Sequence, residues 1–177
     1  MDHDITDQFR AAMRTCAATV MVVTTKLETQ RFGMTATAVI PVSMEPPSIL
    51  VSVNRGASLN EPLSSAGMFC VNILREGQVA LAKAFSGALS GEARFSVGTW
   101  GNSNGIPFLV DAQSNLFCEL ERKISFGTHD LFLGTIQSVR QGDAPEPLVY
   151  SSGRFLSGIS KLACQGQSPR QQAEGHR

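Results

Sequence analysis

The residues between Gly33 and Ser58 have side chains that could bind a flat polar ligand. Met34–Ala38 (MTATA) alternates small and hydroxyl residues beside uncrowded backbone. Backbone groups and threonine hydroxyls of this kind can bond the polar edge of a ring such as a flavin isoalloxazine. A strand whose small side chains face a neighbouring element fits the same residues. On composition alone this second interpretation is favoured.

A possible anion site follows at the end of the same stretch. The residues Asn54–Ser58 (NRGAS) come directly after the β-branched segment ILVSV. The charge of Arg55, with Ser58 at a predicted helix start, could hold a phosphate through the positive end of the helix dipole. An exposed arginine and an ordinary serine cap explain these two residues equally well.

A histidine and an arginine later in the chain are further candidates. His129 stands in the segment GTHD, where a strand begins after a turn. It could bond a carboxamide or a phosphate, or transfer a proton, although a solvated or structural histidine is more usual at such a place. Arg94, beside Phe95, could bind a phosphate or support its own loop. Since no metal-ligand cluster and no Ser-His-Asp arrangement is visible, we assign no metal site and no catalytic acid or base.

The pattern along the chain predicts many short strands and few helices. A first helix, capped by Thr6, carries an apolar stripe through Phe9, Met13 and Cys16 that we expect to pack on the domain. Strands are expected at 19–25, 32–39, 49–53, 68–74, 115–124, 131–139 and 147–150, helices at 58–65 and 78–85, and an irregular segment at 86–104. No G-x-G-x-x-G motif opens a helix, so a mainly antiparallel barrel is predicted rather than a doubly wound sheet.

Composition narrows the class of protein. With 177 residues the chain fits one domain, which we place at 1–164, followed by a disordered polar tail at 165–177. Fifteen basic and fifteen acidic residues give no net charge, which argues against nucleic-acid binding and does not oppose self-association. Neither a signal peptide nor a membrane span is expected. Four widely spaced cysteines indicate reduced thiols and a cytoplasmic protein.

An ordered series of segments resembles one known family. The series is GMTATAV, PPSILVSVN, Ser58, FCVNIL, AFSG, Arg94-Phe95, the lone Trp100, GTHD and PLVYSSGRF. In this order, from about Phe9 to Phe155, it resembles the short flavin reductases, the NAD(P)H:flavin oxidoreductase components of two-component monooxygenases. Within this family, the series most resembles the reductase component of 4-hydroxyphenylacetate 3-monooxygenase. The resemblance implies a mainly β FMN-binding split barrel, that is, an antiparallel Greek-key barrel with a few short helices. It also implies a homodimer with FMN or FAD in a groove near the dimer interface.

The resemblance also implies an activity. Hydride passes from C4 of NADH or NADPH to N5 of the flavin, and the reduced flavin then leaves for a separate oxygenase. Positions carried over for the flavin are Thr35, Ala36, Thr37, Ala38, Ser52, Val53, Asn54, Arg55, Ser58 and Phe85, and for the pyridine nucleotide Arg94, Thr128 and His129.

Two departures from the family pattern leave the choice between FMN and FAD open. Thr128 stands where many relatives have Asp, and Ala36-Thr37 where others have Ala-Asn-Ser. Two other functions on the same barrel remain as alternatives: an oxidase of the pyridoxamine-phosphate type, and a flavin- or haem-binding protein without turnover.

Overall fold

The computed structural model describes residues 5–142 and 146–156. The helices are α1 (Ile5–Arg14), α2 (Asn60–Ala66) and α3 (Val79–Lys83), followed by a π-helical turn at Ala84–Ala88 and a 3₁₀ turn at Gly91–Ser96. The strands are β1 (Ala18–Thr19), β2 (Met21–Leu27), β3 (Gln30–Ala36), β4 (Val39–Met44), β5 (Pro47–Asn54), β6 (Met68–Ile73), β7 (Trp100–Ser103), β8 (Ile106–Leu109), β9 (Ser114–Phe126), β10 (His129–Gln141), β11 (Val149–Ser151) and β12 (Arg154–Leu156). The predicted mainly β, antiparallel architecture is confirmed.

One seven-stranded sheet, in the order β3-β2-β6-β9-β10-β5-β4, forms the body of the domain. Its edge strands β3 and β4 are joined by only Thr37 and Ala38, so the two edges of the sheet meet. Ala36 from one edge and Val39 from the other lie in the same buried cluster as Val51 and Phe132 of the central strands. The sheet therefore wraps around a single core, and Leu59 and Leu63, beside and within α2, pack into that core.

A second layer covers the outer face of β2 and β3. Three aromatic rings, those of Phe85, Phe95 and Trp100, contact one another with centroids 4.9–5.3 Å apart. They belong to a separate buried cluster with Val22 and Leu81. The segment 86–104, expected to be irregular, thus contains helical turns and the strand β7. Aromatic packing orders this segment, and a local sequence pattern does not report such packing.

Close contact between β3 and this layer depends on Gly33. A Cβ atom placed on Gly33 would lie 2.6 Å from Cε1 of Phe85 and 3.2 Å from Cγ2 of Thr24. Phe85 is buried, with 1% of its surface exposed, so its ring cannot move aside freely. The absence of a side chain at Gly33 lets the ring lie directly on the strand backbone.

We expect Gly33→Ala to lower the free energy of unfolding by about 1–3 kcal/mol, because one extra carbon is forced into a filled space. Urea denaturation measures the change. Phe85→Leu supplies the control, since in that background Gly33→Ala should cost clearly less. An equal cost in both backgrounds would contradict the proposed contact.

The first helix does not pack as expected. None of its residues is buried, and Phe9 and Met13 are 65% and 52% exposed. Its end is tied to the β11–β12 turn by a bond from Ser152 N to Arg14 O, 2.7 Å long. The prediction that its stripe packs on the domain is wrong for the single chain, because amphipathic spacing identifies an apolar face without identifying what covers it.

The sequence pattern does not predict strand β4, because proline is expected to end the preceding strand. Pro41 lies within β4, opposite Ile49, next to a register shift between Pro41 and Ser43. Since β4 is an edge strand, proline can occupy it without removing a hydrogen bond from an inner pair.

The thiols agree with the predicted reduced state. Cys70 and Cys118 are free and buried, while Cys16 is free and exposed. Burial raises the pKa of both buried thiols, to about 12 for Cys118. Cys164 and the predicted tail at 165–177 lie outside the described residues. Among those that are described, no helix is both long and apolar enough to cross a bilayer.

Candidate active site

A groove runs between β3 and the π-helical turn, in two adjoining chambers. The first, which we call the Arg94 chamber, has a volume of about 290 Å³ and is lined by Met34, Thr35, Ala57, Ser58, Phe85, Ser86, Gly87 and Arg94. The second, the Tyr150 chamber, has about 340 Å³ and is lined by Val20, Thr35, Thr37, Ala82, Lys83, Ser86, Tyr150, Gly153 and Phe155. Thr35 and Ser86 line both chambers, so the two chambers are adjacent.

The guanidinium of Arg94 joins three separate segments at one end of the groove. Its Nη1 donates to Gly33 O at 2.7 Å and lies 3.4 Å from Ser58 Oγ. Its Nε donates to Leu89 O at 3.0 Å. These bonds confirm the loop-supporting role considered for Arg94. They also bring its charge beside the Ser58 hydroxyl, which is the pairing that an anion requires.

No carboxylate of the described residues lies within ion-pair distance of Arg94. The neighbouring Arg31, by contrast, is paired with Glu92 and lies over the ring of Phe95, 4.3 Å from its centroid. The positive charge of Arg94 is therefore available to attract an incoming phosphate.

The helix after Ser58 does not contribute as expected. It begins at Asn60, after an N-terminal residue Leu59 that makes no side-chain capping bond, and it is only seven residues long. Ser58 is thus not its cap, and this short helix provides no helix-dipole site for a phosphate at Ser58. The arginine beside the Ser58 hydroxyl is Arg94 rather than Arg55.

The floor of the groove is the outward side of β3. Thr35 Oγ1 donates to Ala82 O at 2.7 Å, which fixes the strand to the end of α3. Thr37 lines the Tyr150 chamber, and Ala38 is exposed at the turn into β4. Ala36 is 7% exposed and points into the barrel core, so only its backbone can face a ligand.

The opposite wall has an unusual backbone. The chain passes from α3 into a π-helical turn in which Gly87 has φ 121°. π-Helical turns occur frequently at functional sites, because they break the regular backbone bonding of a helix. Ser86 and Gly87 thereby come to line the groove, with Ser86 Oγ donating to Lys83 O at 3.1 Å.

The sequence singles out only Thr35 and Thr37 of the residues that line the Tyr150 chamber. Tyr150 and Phe155 form an edge-to-face pair with centroids 5.2 Å apart, and Lys83 lines the same space. The segments PLVYSSGRF and AFSG already stood in the ordered series, but their individual residues had no local chemistry that distinguished them. Only the fold brings residues 150–155 close to β3.

Four predicted residues form a second group, at the ends of β5 and β10. Asn54 lies opposite His129 in the sheet. Arg55 N donates to Thr128 O at 3.0 Å, and the Arg55 guanidinium donates to Gly127 O. Thr128 Oγ1 and His129 Nδ1 are 2.9 Å apart. This group, which we call the His129 turn, lines neither chamber of the groove and connects to Ser58 through residues 55–57.

Two remaining predicted residues lie on opposite faces of β5. Val53 is fully buried in the barrel core, so its side chain cannot reach a ligand. Ser52 is half-buried on the outer face, opposite Leu131. Strand alternation separates the two residues, and the sequence pattern did not indicate which one faces outward.

Comparison with known proteins decides the family. The flavin reductase like domain matches residues 13–158 of this chain. The chain belongs to the flavin reductase-like family. It is 39% identical over 152 residues to the reductase component of the FADH(2)-dependent resorcinol hydroxylase of Rhizobium sp. (strain MTP-10005), covering 84% of this chain and 85% of that protein. It is 38% identical over 148 residues to the FMN reductase (NADH) RutF of Pseudomonas syringae pv. syringae (strain B728a), covering 83% of each.

A solved structure supports the same assignment. The NADH:FAD oxidoreductase SgcE6 of Streptomyces globisporus C-1027 superposes with a TM-score of 0.81 at 29% identity, over 90% of this chain and 96% of that one. The predicted family, split-barrel fold and enzyme class, a flavin reductase using flavin and a nicotinamide nucleotide, are therefore confirmed. The role of each site residue stays a prediction.

We expect Ser58→Ala to weaken FMN binding about 10-fold or more, because one donor to a charged phosphate is worth about 1.5–3 kcal/mol. A fluorescence titration with FMN measures the affinity, and riboflavin, which lacks the phosphate, should bind the variant and the parent alike. Ser65→Ala is the matched control, since Ser65 lies on α2 and bonds Glu61 instead. Unchanged FMN affinity in the Ser58 variant would remove this contact.

Proposed function

We propose that this protein reduces free FMN or FAD with NADH or NADPH and releases the reduced flavin to a separate oxygenase. The observation that carries the proposal is the position of Arg94. Its charge, unpaired among the described residues, stands beside the Ser58 hydroxyl at one end of a groove that is floored by Thr35 and Thr37. This arrangement suits a planar ring joined to a phosphate.

The residues present fit a flavin in both polarity and shape. The Arg94 chamber offers a guanidinium and hydroxyls, which suit a phosphate. The Tyr150 chamber offers a paired aromatic wall opposite small hydroxyl residues, which suits the ring. Thr35 and Ser86 lie where the two chambers join, within reach of the chain that links phosphate and ring.

The chemistry that a bound flavin supplies is acceptance of a hydride from a reduced nicotinamide. The protein's own work is then to position two rings against each other at about 3–3.5 Å and to exclude water from between them. Among residues 5–142 and 146–156, no carboxylate and no histidine lines either chamber.

The His129 turn is proposed to contact the pyridine nucleotide. His129 is exposed, and its Nδ1 is engaged with Thr128 Oγ1, which leaves Nε2 for a carboxamide or a phosphate. Arg94, on the side of the groove, is proposed to attract the negative charge of the nucleotide. The relatives named above include an FMN reductase (NADH) and an NADH:FAD oxidoreductase.

A homodimer is proposed to form through the outer face of β4, β5, β10 and β9. In the sheet register Ile40 lies opposite Leu50 and Leu50 opposite Leu133, which forms an apolar row across three strands. Ile40 and Phe126 on this face are 56% and 79% exposed. Zero net charge does not oppose pairing of two copies. The same face ends at Asn54 and His129, so the proposed interface adjoins the proposed nucleotide site.

The double variant Ile40→Lys/Phe126→Ser is expected to shift the protein from dimer to monomer, because charge and polarity replace the apolar contact. Size-exclusion chromatography with light scattering gives the mass. Val139→Ser, which changes an exposed valine toward the other end of β10, should leave the mass unchanged. A parent protein that is already monomeric would refute the dimer.

The activity itself is tested by mixing the purified protein with NADH or NADPH and with free FMN or FAD in air, while following nucleotide absorbance. Flavin-dependent consumption of the nucleotide is expected with at least one pair. The same assay distinguishes the two alternatives: an oxidase would need a further substrate, and a binding protein would show no turnover. No consumption with any of the four pairs would refute the proposed function.

A further inference from the structure

A polar cavity lies at the start of β9 and the end of β10. It has a volume of about 330 Å³, and its wall includes Arg75, Asp111, Asn115, Arg140 and Gly142. We call it the Arg75 cavity. Of the described residues, none lines both this cavity and a chamber of the groove. The sites proposed for flavin and nucleotide therefore leave the Arg75 cavity unexplained.

The backbone holds Arg75 at the cavity wall. Arg75 N donates to Gln78 Oε1 at 2.8 Å, and Gln78 Nε2 donates to Asp111 O at 2.9 Å. The backbone of Arg75 also forms an antiparallel bridge with Pro147. A Cβ atom on Gly142 would overlap Nη2 of Arg75, so glycine leaves the space that the guanidinium occupies. The folded chain thus accommodates this guanidinium at one place.

The Arg75 guanidinium lacks a counter-charge in the described part of the chain. Arg75 is half-buried, and its Nε atom is buried without a hydrogen-bond partner among the described residues. No described carboxylate lies within ion-pair distance of it, although Asp111 lines the same cavity. Removing a cation from water without acceptors is unfavourable. An anion in the cavity would supply the charge and acceptors that these residues do not.

A second arginine lines the same cavity. Arg140 lies opposite Asn115 in the register of β10 and β9, and its guanidinium lies over the ring of Phe108, 5.2 Å from the centroid. Arg140 is likewise outside ion-pair distance of every described carboxylate. Asn115 is 1% exposed, and its Nδ2 donates to Asn72 Oδ1 at 2.9 Å and to Leu109 O at 3.0 Å. This part of the wall is therefore fixed by buried hydrogen bonds.

We propose that the Arg75 cavity binds a small anion through Arg75 and Arg140. The ligand class is a carboxylate or phosphate group on a compact polar molecule, because guanidinium groups bond the paired oxygens of both. The two arginines outweigh the single described acid of the wall, Asp111. The volume corresponds to about ten water molecules at about 30 Å³ each, which admits an ion as large as citrate. The site is additional to the groove and does not depend on the flavin reaction.

The test is an NMR titration of the full-length, ¹⁵N-labelled protein with inorganic phosphate and, separately, with citrate. Ionic strength is held constant with sodium chloride, because non-specific attraction of anions is screened by salt. The reporters are the Arg75 Nε–Hε signal, assigned by its loss in Arg75→Met, and the backbone amides of Val110 and Gly142. We expect at least one probe to shift these signals to saturation with one common Kd. The tighter probe tells whether phosphate or carboxylate is the preferred group.

The variants Arg75→Met and Arg140→Met are each expected to weaken that Kd about 10-fold or more, since each removes a charged donor. Asp111→Asn should tighten it about 2- to 5-fold, because a negative charge leaves the wall. Arg10→Met is the matched control for net charge, since Arg10 lies on α1 and is paired with Asp7. If Arg75→Met does not fold, Arg140→Met carries the test, because Arg140 is exposed.

Three results would overturn the proposal. The first is a shift that stays linear for both probes, and the second is an equal weakening in Arg10→Met and Arg140→Met. The third concerns the groove, where Arg94 and Ser58 could also attract phosphate. The Kd measured at the Arg75 reporters should be the same with and without saturating FMN. A Kd that rises with FMN would place the anion in the Arg94 chamber instead.

Discussion

The groove depends on the hydrogen bonds made by the guanidinium of Arg94. The guanidinium donates to Gly33 O in β3 and to Leu89 O, just after the π-helical turn. It also lies within hydrogen-bond distance of Ser58 Oγ. Three segments far apart in the chain are thereby held around one positive charge. Because bonds to backbone carbonyls do not neutralise that charge, the same residue can shape the groove and attract an anion into it.

The packing beneath Arg94 imposes the second constraint. Phe85 lies directly on the backbone of Gly33, and its ring is held by Phe95 and Trp100. This contact sets how closely the π-helical turn approaches β3, and therefore how wide the groove is. A groove that is open at the surface is compatible with the proposed release of reduced flavin to a separate oxygenase.

The sequence predicted the mainly antiparallel barrel and most of its long strands, because alternating β-branched segments report local structure directly. It also selected residues for the groove, namely Thr35, Ser58, Phe85 and Arg94. It paired Ser58 with Arg55 because they are close in the chain, whereas the fold pairs Ser58 with Arg94 across 36 positions. Tyr150 and Lys83 were missed for a similar reason, since only tertiary contact brings them together. The stripe of α1 was seen correctly, but no local signal told whether the same chain would cover it.

The most direct test of this account is a crystal structure with FMN bound. We expect the phosphate within hydrogen-bond distance of both Ser58 Oγ and the Arg94 guanidinium, and the isoalloxazine along Thr35–Ala38 opposite Tyr150 and Phe155. A phosphate held by Arg55 at the His129 turn, or a ring that makes no contact with β3, would contradict the account.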